Sequence, residues 1–180
     1  MFRRLRPDVL ASRRDRPAEP PRPPTQAFYF RRPISAYGRE TDADVEGLIR
    51  VHGLAWREAY DRILPDSVRN AQPVDPTAED VDRWRTRLGD ARADAFVAVV
   101  DRGVRGFVDV RWGDANTKSF VGENEAELKA IYVRPDSWGD GIGTALLDRG
   151  LDALPDRIAT IRLETLADNA TGVRFYEARG

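Results

Sequence analysis

The chain has 180 residues, 41% of them hydrophobic, and 29 basic against 30 acidic residues for a net charge of -1. That length allows one domain with a sizeable core and little more. With no cysteine and His52 as the one histidine, disulfides, thiol nucleophiles and multi-histidine metal sites are excluded, and no metal is expected.

No run of ~18 apolar residues occurs, so no membrane helix is expected, and a balanced charge offers no general footprint for nucleic acid. A cytoplasmic location is the simplest expectation. The basic residues are nearly all Arg; the only lysines are Lys118 and Lys129.

Residues 1–26 stand apart. Arg and Pro dominate from Arg3 to Pro24, with Pro17, Pro20, Pro21, Pro23 and Pro24 close together. Such a segment buries too little apolar surface to offset its ordering entropy, and is expected to be a disordered or polyproline-like tail. It lacks the apolar centre of a secretory signal. The folded domain is expected over 27–180.

Phe28 to Ser35 has strand character. Thr41 or Asp42 offers an N-cap, and Val45, Leu48, Ile49, His52, Trp56, Ala59, Tyr60 and Ile63 follow at helical spacing, which predicts one long helix ending before Pro65. His52 falls on or near its apolar face and reads as a packed side chain. A second helix is expected over 77–88. Ala95 to Asp101 and Val104 to Trp112 read as a hairpin turning at Arg102-Gly103. A polar loop covers 113–124, and Ala126 to Val133 reads as a central strand covered on both sides.

The pattern then changes. A turn-forming stretch, Arg134 to Gly141, leads into a helix from Ile142 to Leu154, stopped by Pro155. Ile158 to Leu166 alternates as a strand, and Asp168 and Asn169 cap a last helix through Arg179. Antiparallel strands thus precede one βαβ unit, whose crossover makes the strands around 127–133 and 158–166 parallel neighbours.

In Trp138-Gly-Asp-Gly-Ile-Gly-Thr144, three glycines open a helix directly after a buried strand. Backbone without side chains approaches a ligand closely, and the first helical turn offers unpaired N–H donors at the positive end of its dipole. That is the chemistry of a diphosphate site; the same glycines could instead serve tight packing. A P-loop is excluded, because Gly143 is followed by Thr144 and Ala145 without a lysine. A dinucleotide-binding fold is excluded by topology, since the glycines follow several antiparallel strands.

These residues resemble the GNAT superfamily of N-acetyltransferases. That family's motif, Gln/Arg-x-x-Gly-x-Gly/Ala, aligns with Trp138, Gly141 and Gly143, with Trp138 departing from the usual Gln or Arg. Glu127 to Val133 followed by Arg134-Pro135 is similar to the family's fourth strand. Asn169-Ala-Thr-Gly-Val-Arg-Phe175-Tyr176-Glu-Ala-Arg-Gly180 fits Asn-x-x-Ala/Gly-x-x-x-Tyr-x-x-x-Gly.

The resemblance implies an α/β (α+β) fold: a mixed, mostly antiparallel sheet with one βαβ unit and helices on both faces. It implies acetyl-CoA as cosubstrate, held by Ile131, Tyr132, Val133, Trp138, Gly139, Asp140, Gly141, Ile142, Gly143, Thr144 and Asn169. Glu127 would be the base that deprotonates the acceptor amine, the Val133 N–H would polarise the thioester carbonyl, and Tyr176 would protonate the leaving thiolate. The acceptor would be a small-molecule amine or a protein N-terminal amine; residues 52–95 would choose between them.

A non-catalytic acyl-CoA-binding module would need the glycines but neither Glu127 nor Tyr176. The family normally continues beyond the position of Gly180 with two more strands, so the reading expects a C-terminally truncated domain, an open sheet edge, or completion by a partner chain, for instance in a homodimer.

Overall fold

The structure is a computed structural model that describes residues 2–5, 28–32, 42–89 and 93–179. Its sheet has six strands in the order β1-β6-β5-β4-β3-β2. The strands are β1 (Phe2–Leu5), β2 (Tyr29–Arg31), β3 (Ala93–Val100), β4 (Gly103–Trp112), β5 (Glu125–Val133) and β6 (Thr160–Leu166). Every neighbouring pair is antiparallel except β5 and β6. The parallel pair brackets helix α4 (Ile142–Asp152), as the βαβ pattern requires.

Two apolar layers cover the sheet. On one face Leu146 and Leu147 of α4 pack with Phe96, Val108, Val110 and Leu128. On the other, Leu48 and Val51 of helix α1 (Asp42–Ala59) pack with Val97, Val99 and Phe107. Helix α3 (Ala78–Leu88) closes this second face through Leu88 and Trp84. Its start is fixed by a reciprocal capping box between Thr77 and Asp80.

Helix α4 sits close to the sheet because glycines line the contact. A Cβ on Gly150 would lie 3.1 Å from Val110 Cγ1, and one on Gly106 of β4 would lie 2.8 Å from Leu146 Cδ1. This close seat aims the helix N-terminus at the end of β5.

Several boundaries differ from expectation. The first helix ends at Ala59, not just before Pro65. The Tyr60 carbonyl takes the amides of both Ile63 and Leu64, and Arg62 adopts φ 62°. A left-handed residue ends a right-handed helix whatever the apolar spacing beyond it. A short helix α2 (Asp66–Arg69) follows, which spacing did not predict.

The hairpin turns at Asp101 and Arg102, both with positive φ, and Gly103 already pairs with Val100. Two consecutive left-handed residues match the twist of a two-residue hairpin.

Of the strand read over 28–35, Tyr29–Arg31 is strand and 33–35 lies outside the described residues, as does Thr41. Phe2–Leu5, read as part of a disordered tail, forms β1, pairing in register from Phe2↔Leu166 to Leu5↔Leu163. The reading for 6–26 lies outside the described residues. Among the described residues, no helix is long and apolar enough to cross a membrane.

Candidate active site

The site begins where β5 and β6 stop pairing. Their parallel ladder has three residue pairs, Glu125↔Thr160, Ala126↔Ile161 and Glu127↔Arg162. Arg162 clamps this closed end, with Nε and Nη2 donating to the two Glu125 carboxylate oxygens at 2.9 and 2.6 Å. The fork holds the Glu125 carboxyl below its ordinary titration range.

Beyond Glu127 the strands diverge. On the β4 side the register slips between Asp109 and Val110, so that Asp109 faces Ala130, Val110 faces Leu128, and Lys129 is the extra residue. A bulge of this kind bends a strand and increases its twist.

The divergence opens a cleft of about 370 Å³. Leu128 to Val133 form one wall and Glu164 and Thr165 of β6 the other. The N-terminal turn of α4 closes one end, helix α5 (Ala170–Glu177) contributes Phe175 and Tyr176, and Tyr60 after α1 reaches in from the opposite layer.

The glycine turn meets the physical requirement for an anion cradle. Gly139 and Gly141 have φ of +92° and +83°, and a Cβ at either would meet nothing within 4 Å. The glycines are therefore needed for backbone conformation, and the space in front of them is open. Gly143 differs: its Cβ would lie 3.1 Å from the Phe175 ring, so it is a packing glycine.

Trp138, half-exposed, donates its indole N–H to the Val133 carbonyl at 2.7 Å, tying the turn to the end of β5. Arg179 spans the same end of the cleft. Its guanidinium lies 3.8 Å over the Phe175 ring and donates to the Thr144 hydroxyl in the first turn of α4.

The phenols form a connected group. Burial raises the pKa of the Tyr60 phenol, and the neighbouring side chains of Tyr132 and Asn169 oppose that shift. Asn169 also caps α5, its Oδ1 accepting from Gly172 N at 3.0 Å, so cap and cleft wall are one residue. Burial, reinforced by nearby Tyr60, pushes the Tyr176 phenol well above its ordinary pKa, and burial does the same to Tyr132. Tyr176 thus stays protonated through the neutral and alkaline range.

Among the residues expected to hold a cofactor, Ile131, Tyr132, Val133, Trp138, Gly139, Gly141, Ile142, Gly143, Thr144 and Asn169 line this cleft, and Tyr176 joins them. Asp140 is not part of the lining. Glu127 is not brought there either. It is buried at 4% exposure beneath the 113–124 loop, accepting from the Lys118 N–H at 2.9 Å and from Lys129 Nζ at 3.4 Å.

The carboxylate that does line the cleft is Glu164, paired with Lys118 Nζ at 3.3 Å. Sequence reasoning passed over Glu164, Tyr60 and Arg179. For Glu164 a signal existed: Ile161, Leu163 and Thr165 are the buried face of β6, which sets Glu164 on the other face of the strand that forms the parallel pair.

His52 packs among rings, 4.9 Å from Tyr132 and 5.3 Å from Trp84, and burial with the Arg87 charge lowers its pKa to about 4. It is the packed side chain that its helical position predicted.

The sequence model of the acetyltransferase (GNAT) family matches residues 48–180. The chain belongs to the GNAT family of acetyltransferases.

Among curated proteins, it is 43% identical over 58 residues to the [ribosomal protein bS18]-alanine N-acetyltransferase of Escherichia coli K12. That match covers 32% of this chain and 39% of the relative, so it compares less than half of either protein. An uncharacterized N-acetyltransferase of Bacillus subtilis, YuaI, is 26% identical over 136 residues, 75% of this chain and 73% of that one.

Among solved structures, the PaiA N-acetyltransferase of Thermoplasma acidophilum in complex with coenzyme A superposes with a TM-score of 0.62 at 21% identity. The overlap covers 86% of this chain and 89% of that one. The Escherichia coli ribosomal-protein-S18-alanine N-acetyltransferase gives 0.55 at 21% identity, covering 86% and 77%. At these identities the likeness is one of fold, and it establishes the mixed α/β GNAT architecture.

Proposed function

We propose that this GNAT acetyltransferase moves an acetyl group from acetyl-CoA to a primary amine by direct attack of the amine on the thioester. The supporting observation is the open, left-handed Gly139–Gly141 turn at the N-terminus of α4, set at the end of a cleft that also holds a carboxylate and a protonated phenol. The N–H groups of residues 139–144 hold the diphosphate. The pantetheine arm lies between the diverging strands, along Ile131 to Val133 and past Asn169. The Val133 N–H polarises the thioester carbonyl.

We assign the base to Glu164 in preference to Glu127. A base must reach the amine proton directly or through one water, and Glu164 lines the cleft whereas Glu127 is buried and already bonded to Lys118 and Lys129. Tyr176, kept protonated by burial, donates to the departing thiolate. No enzyme nucleophile is needed, which suits a chain without cysteine. The acceptor is a small amine or a protein N-terminal amine; the partial match to an enzyme that acetylates an alanine of a ribosomal protein supports the second class.

The test combines titration calorimetry with CoA and CoA-release assays over a panel of amines and N-terminal peptides. Wild type should bind CoA and Gly141→Val should not. Tyr176→Phe and Glu164→Gln should each lower kcat by about 10²–10⁴-fold while leaving CoA affinity near wild type, and Glu127→Gln should act mainly on stability. CoA binding without turnover of any amine would favour a non-catalytic acyl-CoA module. A Glu127→Gln protein that is stable yet inactive would return the base to Glu127.

A further inference from the structure

Lys118 and Lys129 are the only two lysines of the chain, and every other cationic side chain apart from His52 is Arg. Arginine does not lose its proton in proteins and cannot accept an acetyl group under the conditions in which an amine does. The side chains therefore offer two primary amines, and both lie beside the carboxylates at the diverging strands.

Lys118 joins the two strands that form the cleft. Its backbone N–H donates to Glu127 of β5 at 2.9 Å, and its Nζ donates to Glu164 of β6 at 3.3 Å. Half of its side chain remains exposed. Lys129 is part of the cleft lining and Lys118 is not, but the Lys129 Nζ is bonded to the Asn116 carbonyl at 2.9 Å and to the buried Glu127 at 3.4 Å instead of to Glu164.

We propose that Lys118 is an internal acceptor: the protein acetylates its own Lys118 Nζ from acetyl-CoA, using Glu164 as the base. The inference rests on the proposed function, because the position next to Glu164 is the one an acceptor ammonium would take. Glu164 removes a proton from the ammonium. Glu164 passes that proton to solvent, the freed Nζ lone pair forms a C–N bond to the thioester carbonyl carbon, the nitrogen yields its second proton to Glu164, and the C–S bond breaks. The sulfur takes the Tyr176 proton and leaves as CoA, and Tyr176 is reprotonated from solvent.

The product is a neutral amide that no longer pairs with Glu164. Acetylation therefore removes one of the links that hold the 113–124 loop across the two strands. Held beside the base, Lys118 has the advantage of an intramolecular reaction over solvent-borne amines, and over Lys129 it has the pairing with Glu164 in place of Glu127.

The full chain is incubated with acetyl-CoA and no added amine, and acetyl occupancy of each lysine is followed by peptide mass spectrometry. Lys118 should react at least about tenfold faster than Lys129, with a first-order rate independent of protein concentration. Tyr176→Phe should slow the reaction at least about tenfold while still binding CoA by calorimetry. Lys118→Arg keeps the ion pair to Glu164 and should show no modification at that position.

An unmodified Lys118 in a preparation that acetylates added amines overturns the inference and leaves the proposed function standing. Equal labelling of both lysines, or a rate that rises with protein concentration, overturns it as bulk or intermolecular chemistry. Absence of both CoA binding and amine turnover removes both readings together.

Discussion

The indole N–H of Trp138 donates to the backbone carbonyl of Val133 at 2.7 Å, across the mouth of the glycine turn. The motif position that usually carries Gln or Arg in this family is thus occupied by a side chain that fastens the turn to the end of β5. Trp138→Phe keeps the ring and deletes the donor. A hydrogen bond contributes about 1 kcal/mol net, so CoA should bind about fivefold more weakly with little change in thermal stability. Calorimetry paired with thermal melts checks this; unchanged affinity would remove the fastening role.

Arg179 places a fixed positive charge at the same end of the cleft. It lies on the Phe175 ring, bonds the Phe175 carbonyl at 2.6 Å and reaches Thr144. A charged contact to phosphate contributes about 1.5–3 kcal/mol. Arg179→Ala should therefore weaken CoA binding at least about tenfold, and leave binding of acetyl-pantetheine, which has no diphosphate, unchanged. Equal losses for both ligands would mean that Arg179 acts only by supporting Phe175.

Asp109 and Arg111 form an ion pair that is nearly sealed from water, with side-chain exposures of 5% and 2%. Arg111 also donates to the Arg87 carbonyl, anchoring the end of α3 to the sheet. Replacing one partner strands a buried charge. Arg111→Leu should cost about 3–5 kcal/mol in urea unfolding, and the double variant Asp109→Val/Arg111→Leu should recover much of that loss. A double variant no better than the single one would show that the lost anchor to α3, not the stranded carboxylate, dominates.

His52 makes stability depend on acidity. Its folded pKa of about 4 lies below the ordinary 6.5. Between these values the unfolded chain binds the proton and the folded chain does not, so stability falls as pH falls through that window. At 1.36 kcal/mol per pKa unit the loss amounts to about 2–3 kcal/mol. Wild type should lose that much more than His52→Leu between pH 6.5 and about 4, measured as unfolding free energies in urea. Identical pH slopes for the two proteins would assign the acid sensitivity to other groups.

Much of the architecture was readable from apolar spacing, because each long helix presents one face to a core and the central strands β3 and β4 supply residues to both. The βαβ unit was plain from a glycine turn between the apolar run 126–133 and the alternating run 158–166. The misses have local causes. Arg62, Asp101 and Arg102 take left-handed conformations without glycine, so nothing in residue type marked the end of α1 or the hairpin turn. Phe2–Leu5 lies in an Arg/Pro-rich context and gains its order from pairing with β6.

At the site, the glycine cradle, Asn169 and Tyr176 follow from local order along the chain. That Glu164 lines the cleft and Glu127 does not is not legible there. It depends on how far β5 and β6 remain paired and on which carboxylate the 113–124 loop covers. Those are relations between distant segments.

The seat of α4 on Gly106 and Gly150 has a consequence for reading variants of this protein. The helix is a rigid lever: one part rests on bare backbone in the core, and its N-terminal end carries the amides proposed to hold the diphosphate. Thickening the core at either glycine would lift the lever and misalign those amides. A lesion that touches no substrate would then register as poor CoA affinity, and a screen scored on activity alone would mistake a packing fault for a binding residue.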